Sequence, residues 1–413
     1  MTKYRNKGVL VIGGGILQQV TLDLCRKLSL KTFLVDGDVN CYSKIYADHF
    51  INVDFRQTEL LLNKAKDLKE RGLIHAVFTQ GTDAEHLVAY LAKELDFHGM
   101  NYEAAMNCNN KLRCRKLIYD SSLDKTPYFS ASSKSELKNL LVELDDNFFP
   151  CYIKPVNNSA SRGVKRVLTK IELLNSFEET SENNYGENAV IVEKEIFGNE
   201  ISVDSIVING IVYPCGISDR KFLVKNKYAI QTGSVTPSSL APEIQSNVYE
   251  VMQKAATTLQ IDNGAFKGDL IINENNEIGI IEFAGRTSGG FDSQFRKPLS
   301  FGIDIIKAAL DLSLGIDVDF RDLIPKWNKW SSTFSVVTES GQISEIIGFD
   351  RCLKIKGVYK GFMTLKSGDT VSQMKDCAQR FNYFICVGSN LDELKKIEAE
   401  IANTLKITII NKK

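Results

Sequence analysis

Gly268-Asp269-Leu270-Ile271-Ile272 and, after a short polar stretch, Ile280-Ile281-Glu282-Phe283-Ala284-Gly285-Arg286-Thr287-Ser288-Gly289-Gly290 form two apolar runs that each carry one carboxylate. Residues 273–277 between them read as a hairpin turn, because Asn and Glu favour turns over strand interiors. Two antiparallel strands then set Asp269 and Glu282 side by side. Carboxylates that close repel unless something positive lies between them. Hard divalent cations take such oxygen ligands, and Mg²⁺ keeps few protein carboxylates while sharing substrate phosphates. Arg286, four residues past the second carboxylate, adds a planar fork for a carboxylate or a phosphate. The pattern points to metal-assisted phosphoryl transfer onto an anionic substrate. An ordinary hairpin with solvated charges is the competing reading of these residues taken alone.

The chain has 413 residues, 43% of them hydrophobic and 25% charged, a globular composition long enough for two to four domains. Lys+Arg and Asp+Glu both number 51, so bulk charge favours neither nucleic acid nor an anionic membrane as partner. No apolar run approaches the roughly 18 residues that span a bilayer. Met1-Thr2-Lys3-Tyr4-Arg5 leads at once into a strand-like run, without the features of a signal peptide, so a cytoplasmic location is expected. The nine cysteines include no Cys-x-x-Cys pair, which argues against a disulfide framework and structural zinc. His49, His75, His86 and His98 all lie in the first hundred residues, so histidine acid–base chemistry is not expected beside Asp269 and Glu282.

Outward from the hairpin, residues 8–110 alternate apolar runs with helical stretches. Val9-Leu10-Val11-Ile12, Thr32-Phe33-Leu34-Val35 and Ala76-Val77-Phe78-Thr79 read as buried strands of a parallel sheet covered by helices. Gly13-Gly14-Gly15 opens the first helix, where amide groups would meet an anion. A dinucleotide fingerprint fits poorly, because Gln18 stands where its third glycine belongs and Asp36 alone supports it.

Lys111-Leu112-Arg113-Cys114-Arg115-Lys116 begins a basic helix on which Lys111 and Arg115 share one face, a solvated face if nothing anionic meets it. Residues 126–129 read as extended and 134–143 as helical. Phe149-Pro150-Cys151-Tyr152-Ile153-Lys154-Pro155 is an apolar strand carrying one lysine. The small, polar loop 156–164 can fold its amides over phosphates, or is a plain surface loop. Residues 178–188 read as a connection, and 190–204 as strand, turn, strand. Asn209-Gly210 marks a hairpin turn between Ile206-Val207-Ile208 and Ile211-Val212. A helix over 244–259 leads into the carboxylate hairpin. Residues 318–332 read as a boundary; strands at 334–337 and 383–388 and a helix at 391–405 follow.

Taken in order, these elements resemble the ATP-grasp superfamily across nearly the whole chain. The likeness is nearest to carboxylate–amine ligases with biotin-carboxylase-like architecture, including L-amino-acid ligases. It rests on Gly13–Gly15, Lys111, Lys154 with its loop to Gly163, Glu193-Lys194 to Glu200, Asp269, and Glu282 to Arg286. It implies an α/β fold: a Rossmann-like (pre-ATP-grasp) domain at 1–110, a two-subdomain ATP-grasp fold at 111–190 and 191–325, and a small α+β C-terminal domain at 326–413. It further implies ATP and Mg²⁺ as cofactors. Lys111 and Lys154 would touch the nucleotide phosphates, and the loop bearing Ser159, Ser161 and Gly163 would close over them. Glu193, Lys194 and Ile196 would line the adenine pocket, and Glu200 would accept from the ribose hydroxyls, with Glu193 the other candidate. Asp269 and Glu282 would hold the metal, and Arg286 the substrate carboxylate or the acyl-phosphate formed from it. Gly289, Arg220 and Arg296 are further substrate candidates. Two departures stand out: Ala284 replaces the Asn of the usual Glu-x-Asn-x-Arg, and Asp269 replaces the more usual Glu.

The implied reaction phosphorylates a small carboxylate, such as an amino acid, and lets an amine displace the phosphate, forming an amide, ADP and phosphate. Its partners would be small molecules, with no nucleic acid and no membrane; related ligases are often homodimers. A bicarbonate-activating carboxylase-type enzyme, a nucleotide-binding regulatory protein with a degenerate site, and a nicotinamide dehydrogenase are the alternatives.

Overall fold

The computed structural model describes residues 2–158, 160–186, 188–225, 228–372 and 379–410. The N-terminal sheet is parallel, with strands in the spatial order His49–Asn52, Lys31–Asp36, Gly8–Ile12 and Ala76–Phe78. Strand periodicity sends alternate residues to opposite faces. Leu10 and Ile12 meet helices Thr58–Glu70 and Glu85–Glu94 on one face. Val9 and Val11 meet helices Gln18–Lys27 and Ile305–Ser313 on the other. The second of these helices also packs on Ile206 and Ala265 of the large sheet, so it cements the N-terminal sheet to the rest.

The Gly13–Gly15 turn does not work as an anion cradle at its first two amides. Gly13 N donates to Val35 O at 2.9 Å, and Gly14 N to the Asp36 carboxylate at 2.6 Å. The helix begins at Gln18, whose buried amide donates to Gln80 O at 2.9 Å and ties the first strand to the 80–83 loop. Asp36, the one residue that supports a dinucleotide fingerprint, is therefore used within the protein, as is Gln18, which departs from it.

A second sheet is antiparallel, in the order Tyr128–Ala131, Val190–Lys194, Cys151–Pro155 and Lys165–Val167. Helices Lys134–Glu143 and Lys170–Ser181 bury Leu137, Leu141, Leu173 and Phe177 against it. The latter helix runs into the stretch expected as a connection. Its N-cap Thr169 accepts from Glu172 N, a local signal that outweighs the polar composition further on.

The large sheet has eight strands, ordered Ile278–Ala284, Gly264–Ile272, Asn199–Ile208, Ile211–Lys225, Tyr228–Thr236, Trp330–Phe334, Asn382–Gly388 and Val358–Met363. Asn209 and Gly210 both have left-handed φ, as the expected two-residue hairpin requires. The last three strands come from beyond residue 325, so the C-terminal region continues this sheet edge to edge. Its strand starts at Trp330 and ends at Phe334, earlier than the 334–337 reading. The C-terminal region's own part is a three-stranded sheet of Thr370–Val371, Gly341–Ile347 and Lys406–Ile410, beside helix Leu391–Thr404. Among the described residues no helix is long and apolar enough to cross a membrane.

Candidate active site

The hairpin forms in the expected register. Asp269 pairs directly with Glu282, and a bulge between Asp269 and Leu270 follows. Phe266 and Leu270 point into the core under helix Pro242–Thr258, so the opposite parity, Lys267 and Asp269, faces the open side. That side is one wall of a cavity of about 580 Å³. The other walls come from the second sheet, the loop after Lys154, the 81–83 loop and the 288–296 segment.

Positive charge surrounds both carboxylates. Lys267 Nζ lies 2.5 Å from Asp269 and 3.9 Å from Glu282. Lys111 Nζ lies 3.4 Å from Glu282 and donates to Asn158 O at 2.5 Å. Burial pushes the Glu282 carboxyl up, but Lys111, Lys267, Lys154 and Arg286 outweigh it and hold the group well below the usual carboxylate range. Lys267 also pairs in register with Ala284, the position where the resemblance leads one to expect Asn. It went unnoticed in the sequence, although a period of two from Asp269 puts it on the same face.

Glu193 sits at the centre of the second sheet's contribution. Its two oxygens accept from Arg115 Nε and Lys154 Nζ, both at 2.5 Å. Burial raises its pKa, yet Arg115 and Lys154 bring it down to about 2. Arg115 is therefore no solvated helix residue: it is buried, and also donates to Ile280 O at 2.5 Å, stapling the hairpin to the second sheet. The helix that carries Lys111 and Arg115 starts with Asn110 accepting from Leu112 N and Arg113 N. Lys111 N donates to Val156 O at 2.7 Å, which brings this helix start up against the end of the Lys154 strand.

Among the other expected residues, Ser161, Lys194, Ile196, Glu200, Arg220, Arg286, Gly289 and Arg296 line the same cavity. Gly163 does not: its φ is +72°, a Cβ there would meet Asn183 Cβ at 2.7 Å, and the residue shapes the loop from behind. Ser159 lies outside the described residues. Glu200 and Arg220 form one half-buried pair at 2.5 Å, with Arg220 also 3.0 Å from Asp269. Arg220 thus bridges two carboxylates and is no open clamp for a second anion. Arg286 donates to Asp83 and lies 3.8 Å from Glu85, two acids far earlier in the chain that no local pattern places here. Arg296 pairs with Asp292 at 2.9 Å, while its Nε and Nη1 are buried and bond to no described residue. Burial lowers its pKa more than Asp292 raises it, the condition of a guanidinium short of anions.

Among the described residues no cluster of three His, Cys, Asp or Glu is placed to hold a metal. The opposed pair Asp269 and Glu282 is the oxygen donor set present. Two protein carboxylates fit a Mg²⁺ that completes its shell with phosphate oxygens and water.

The fold is the ATP-grasp fold, and residues 147–294 match the ATP-grasp domain family. Within that class, residues 333–409 match L-amino acid ligase C-terminal domain 2. The structure is similar to that of L-amino acid ligase from Bacillus licheniformis, with a TM-score of 0.83 at 18% identity over 98% of this chain and all of that one. In sequence the chain is 26% identical over 268 residues to alanine–anticapsin ligase of Bacillus subtilis (58% of this chain, 55% of the relative). It is 25% identical over 211 residues to D-alanine–D-alanine ligase A of Escherichia coli K12 (49% and 57%). The chain thus spans little more than half the length of these curated relatives.

Proposed function

We propose that this chain is an ADP-forming carboxylate–amine ligase acting on an amino acid or similar small carboxylate, with ATP and Mg²⁺. The observation that carries this reading is the register pairing of Asp269 with Glu282 on a wall ringed by Lys111, Lys154, Lys267, Arg286 and Arg296. Such a site serves phosphoryl transfer, which asks for positioning and charge neutralisation and little covalent work from the protein.

Mg²⁺ held by Asp269 and Glu282 would supply neutralisation of phosphate charge. Lys111 and Lys154 would bind phosphate oxygens, each giving up part of its contact with Glu282 or Glu193. Glu193, Lys194 and Ile196 would line the adenine end, and Glu200 the ribose. Ser161 and its loop would cover the phosphates and exclude water from the intermediate. Arg286 would orient the acid. Arg296, with two unpaired donors beside Gly289, suits a second anionic group of the substrate. A substrate carboxylate oxygen would attack the γ-phosphorus as the bond to ADP breaks. The amine would then attack the acyl carbon as phosphate leaves.

The test is ADP release from Mg²⁺-ATP with pooled amino acids and other small carboxylates, with and without amines. Release that depends on a carboxylate supports the ligase. ATP binding with no release above background for any pool would instead favour a nucleotide-binding protein without turnover. Ala284 and the Lys267 ammonium opposite it are the observations on that side. The same proposal includes action in the cytosol, on small molecules without nucleic acid or membrane, as a homodimer, which light scattering of the purified protein checks.

A further inference from the structure

A second cavity, of about 470 Å³, lies behind Arg286, between strand Ala76–Phe78, helix Ile305–Ser313 and the Gly285–Thr287 segment. Arg286 is the residue that lines both cavities. The walls mix polar groups with an aliphatic part that includes Val77, Val88, Ala309 and Leu312, and the volume lies within the range of small-ligand pockets. Four buried polar side chains line it. Thr79 and Ser313 donate to Ile12 O and Leu310 O, each at 2.8 Å; the other two are Glu85, 5% exposed, and Thr287, 1% exposed. Glu85 Oε2 and Thr287 Oγ1 are both without a hydrogen-bond partner among the described residues. The nearby cation does not meet this need: Arg286 Nε stays 3.8 Å from Glu85, because its close partner is Asp83. Exposed Asp317 and His98 stand at the margin.

We propose that this cavity is a second ligand site, one that takes a small primary amine with an apolar body. An ammonium carries three donors and no acceptor, which suits a carboxylate oxygen and a hydroxyl that both lack a donor. The aliphatic part of the walls suits a hydrocarbon body and gives an ion without one nothing to bury. Burial also pushes the Glu85 carboxyl up to about 7, against the pull of Arg286. An ammonium beside it would favour the ionised form. An occupant on Glu85 competes with its attraction to Arg286, so filling this cavity changes how Arg286 is held in the active site. That regulatory consequence rests on the ligase reading; the binding itself does not.

The test is calorimetric titration of the full chain with phenethylamine, with and without Mg²⁺ and a non-hydrolysable ATP analogue, and with 2-phenylethanol as the neutral comparator. The expected result is one saturable amine site per chain that persists with the analogue bound and is at least tenfold weaker for the alcohol. Glu85→Gln should weaken amine binding about tenfold, and Ala309→Leu, which fills the cavity from a residue absent from the other site, should remove it. Thermal unfolding shows whether each variant is folded; Thr287→Val replaces any that is not. No saturable binding, as for a cavity that holds water only, overturns the proposal. Binding that both variants leave unchanged, or that the ATP analogue displaces, also overturns it. Because the readout needs no turnover, an amine-binding chain that releases no ADP counts against the ligase reading alone. A chain that releases ADP and binds no amine here counts against the second site alone.

Discussion

The hairpin 264–284 and the loop 156–164 form facing walls of one cavity and hold their functional groups by different means. On the hairpin, the ladder fixes each charge: Asp269 opposite Glu282, Lys267 opposite Ala284, with the flanking strand Asn199–Ile208 bonded on the far side. The loop has no ladder. Ala160, Ser161 and Gly163 take left-handed backbone angles, and side-chain bonds such as Asn158 to Asn183 O (2.6 Å) and Arg162 to Asn158 (2.9 Å) shape it. Two of those three residues are not glycine, so the loop holds conformations that L residues visit at a cost. The difference teaches where substitutions should act. A charge change on the hairpin should remove chemistry and spare the fold, whereas a change in the loop should act on nucleotide binding.

The sharpest way to break this contrast is Glu282→Gln. It keeps the ladder and the side-chain shape but removes one of two opposed carboxylates. ADP release should fall on the order of 100-fold or more, with nucleotide-free thermal stability nearly unchanged. A folded variant with full activity would remove Glu282 from the chemistry. Lys154→Met comes next. It leaves Glu193, buried and normally held at about 2, with Arg115 as its close cation. Unfolding by denaturant should show a loss of about 1–3 kcal/mol, together with a rise in KM for ATP. A raised KM with no loss of stability would mean that the Glu193 pair is not structural.

A smaller effect separates the two cavities by pH. Glu85 goes from a reference pKa of 4.5 to about 7 in the fold, through burial and Asp83, against Arg286. Between those values the folded chain keeps a proton that the unfolded chain has released. Stability should therefore fall as pH rises from about 4.5 to 7 and level off above. Glu85→Gln removes this slope, so its stability relative to the parent should grow across that window, by up to about 3 kcal/mol. Parallel melting curves at pH 5, 6, 7 and 8 that keep a constant separation would refute the assignment. Smallest of all is Gly163→Ala. A Cβ at φ +72° and 2.7 Å from Asn183 should cost about 1 kcal/mol and raise KM for ATP a few-fold, with kcat retained. A fall in kcat at unchanged KM would place this loop in the chemistry and erase the contrast between the walls.

The hairpin was legible because its information is local. Two apolar runs, a polar turn and a period of two place Asp269 against Glu282 without help from the rest of the chain. The same period reaches Lys267, but a lone lysine among apolar residues carries no mark of its partner until the second carboxylate is in place. Arg115 was harder still. On its helix it shares a face with Lys111 and reads as solvated; its partner Glu193 lies 78 residues on. The Arg286–Asp83 contact spans 203 residues and joins the loops that follow strands of two different sheets. Helix Lys170–Ser181 was missed because its last turn runs into the polar stretch 178–188 that looks like a connection.

By itself, then, the sequence determined the parallel N-terminal sheet, the hairpin and its paired carboxylates, the phosphate-loop candidate and the order of elements that resembles ATP-grasp proteins. Each rests on residues close enough in the chain for periodicity and turn chemistry to act. The tertiary structure alone decided which cations are already engaged: Arg220 between Glu200 and Asp269, Arg286 on Asp83, and Arg296 with donors to spare. It also decided that the C-terminal strands extend the large sheet, and that a second cavity opens behind Arg286. Charge pairing and cavity formation depend on distances between elements, and those are set by how helix Ile305–Ser313 seats one sheet on another. No local pattern encodes that seating.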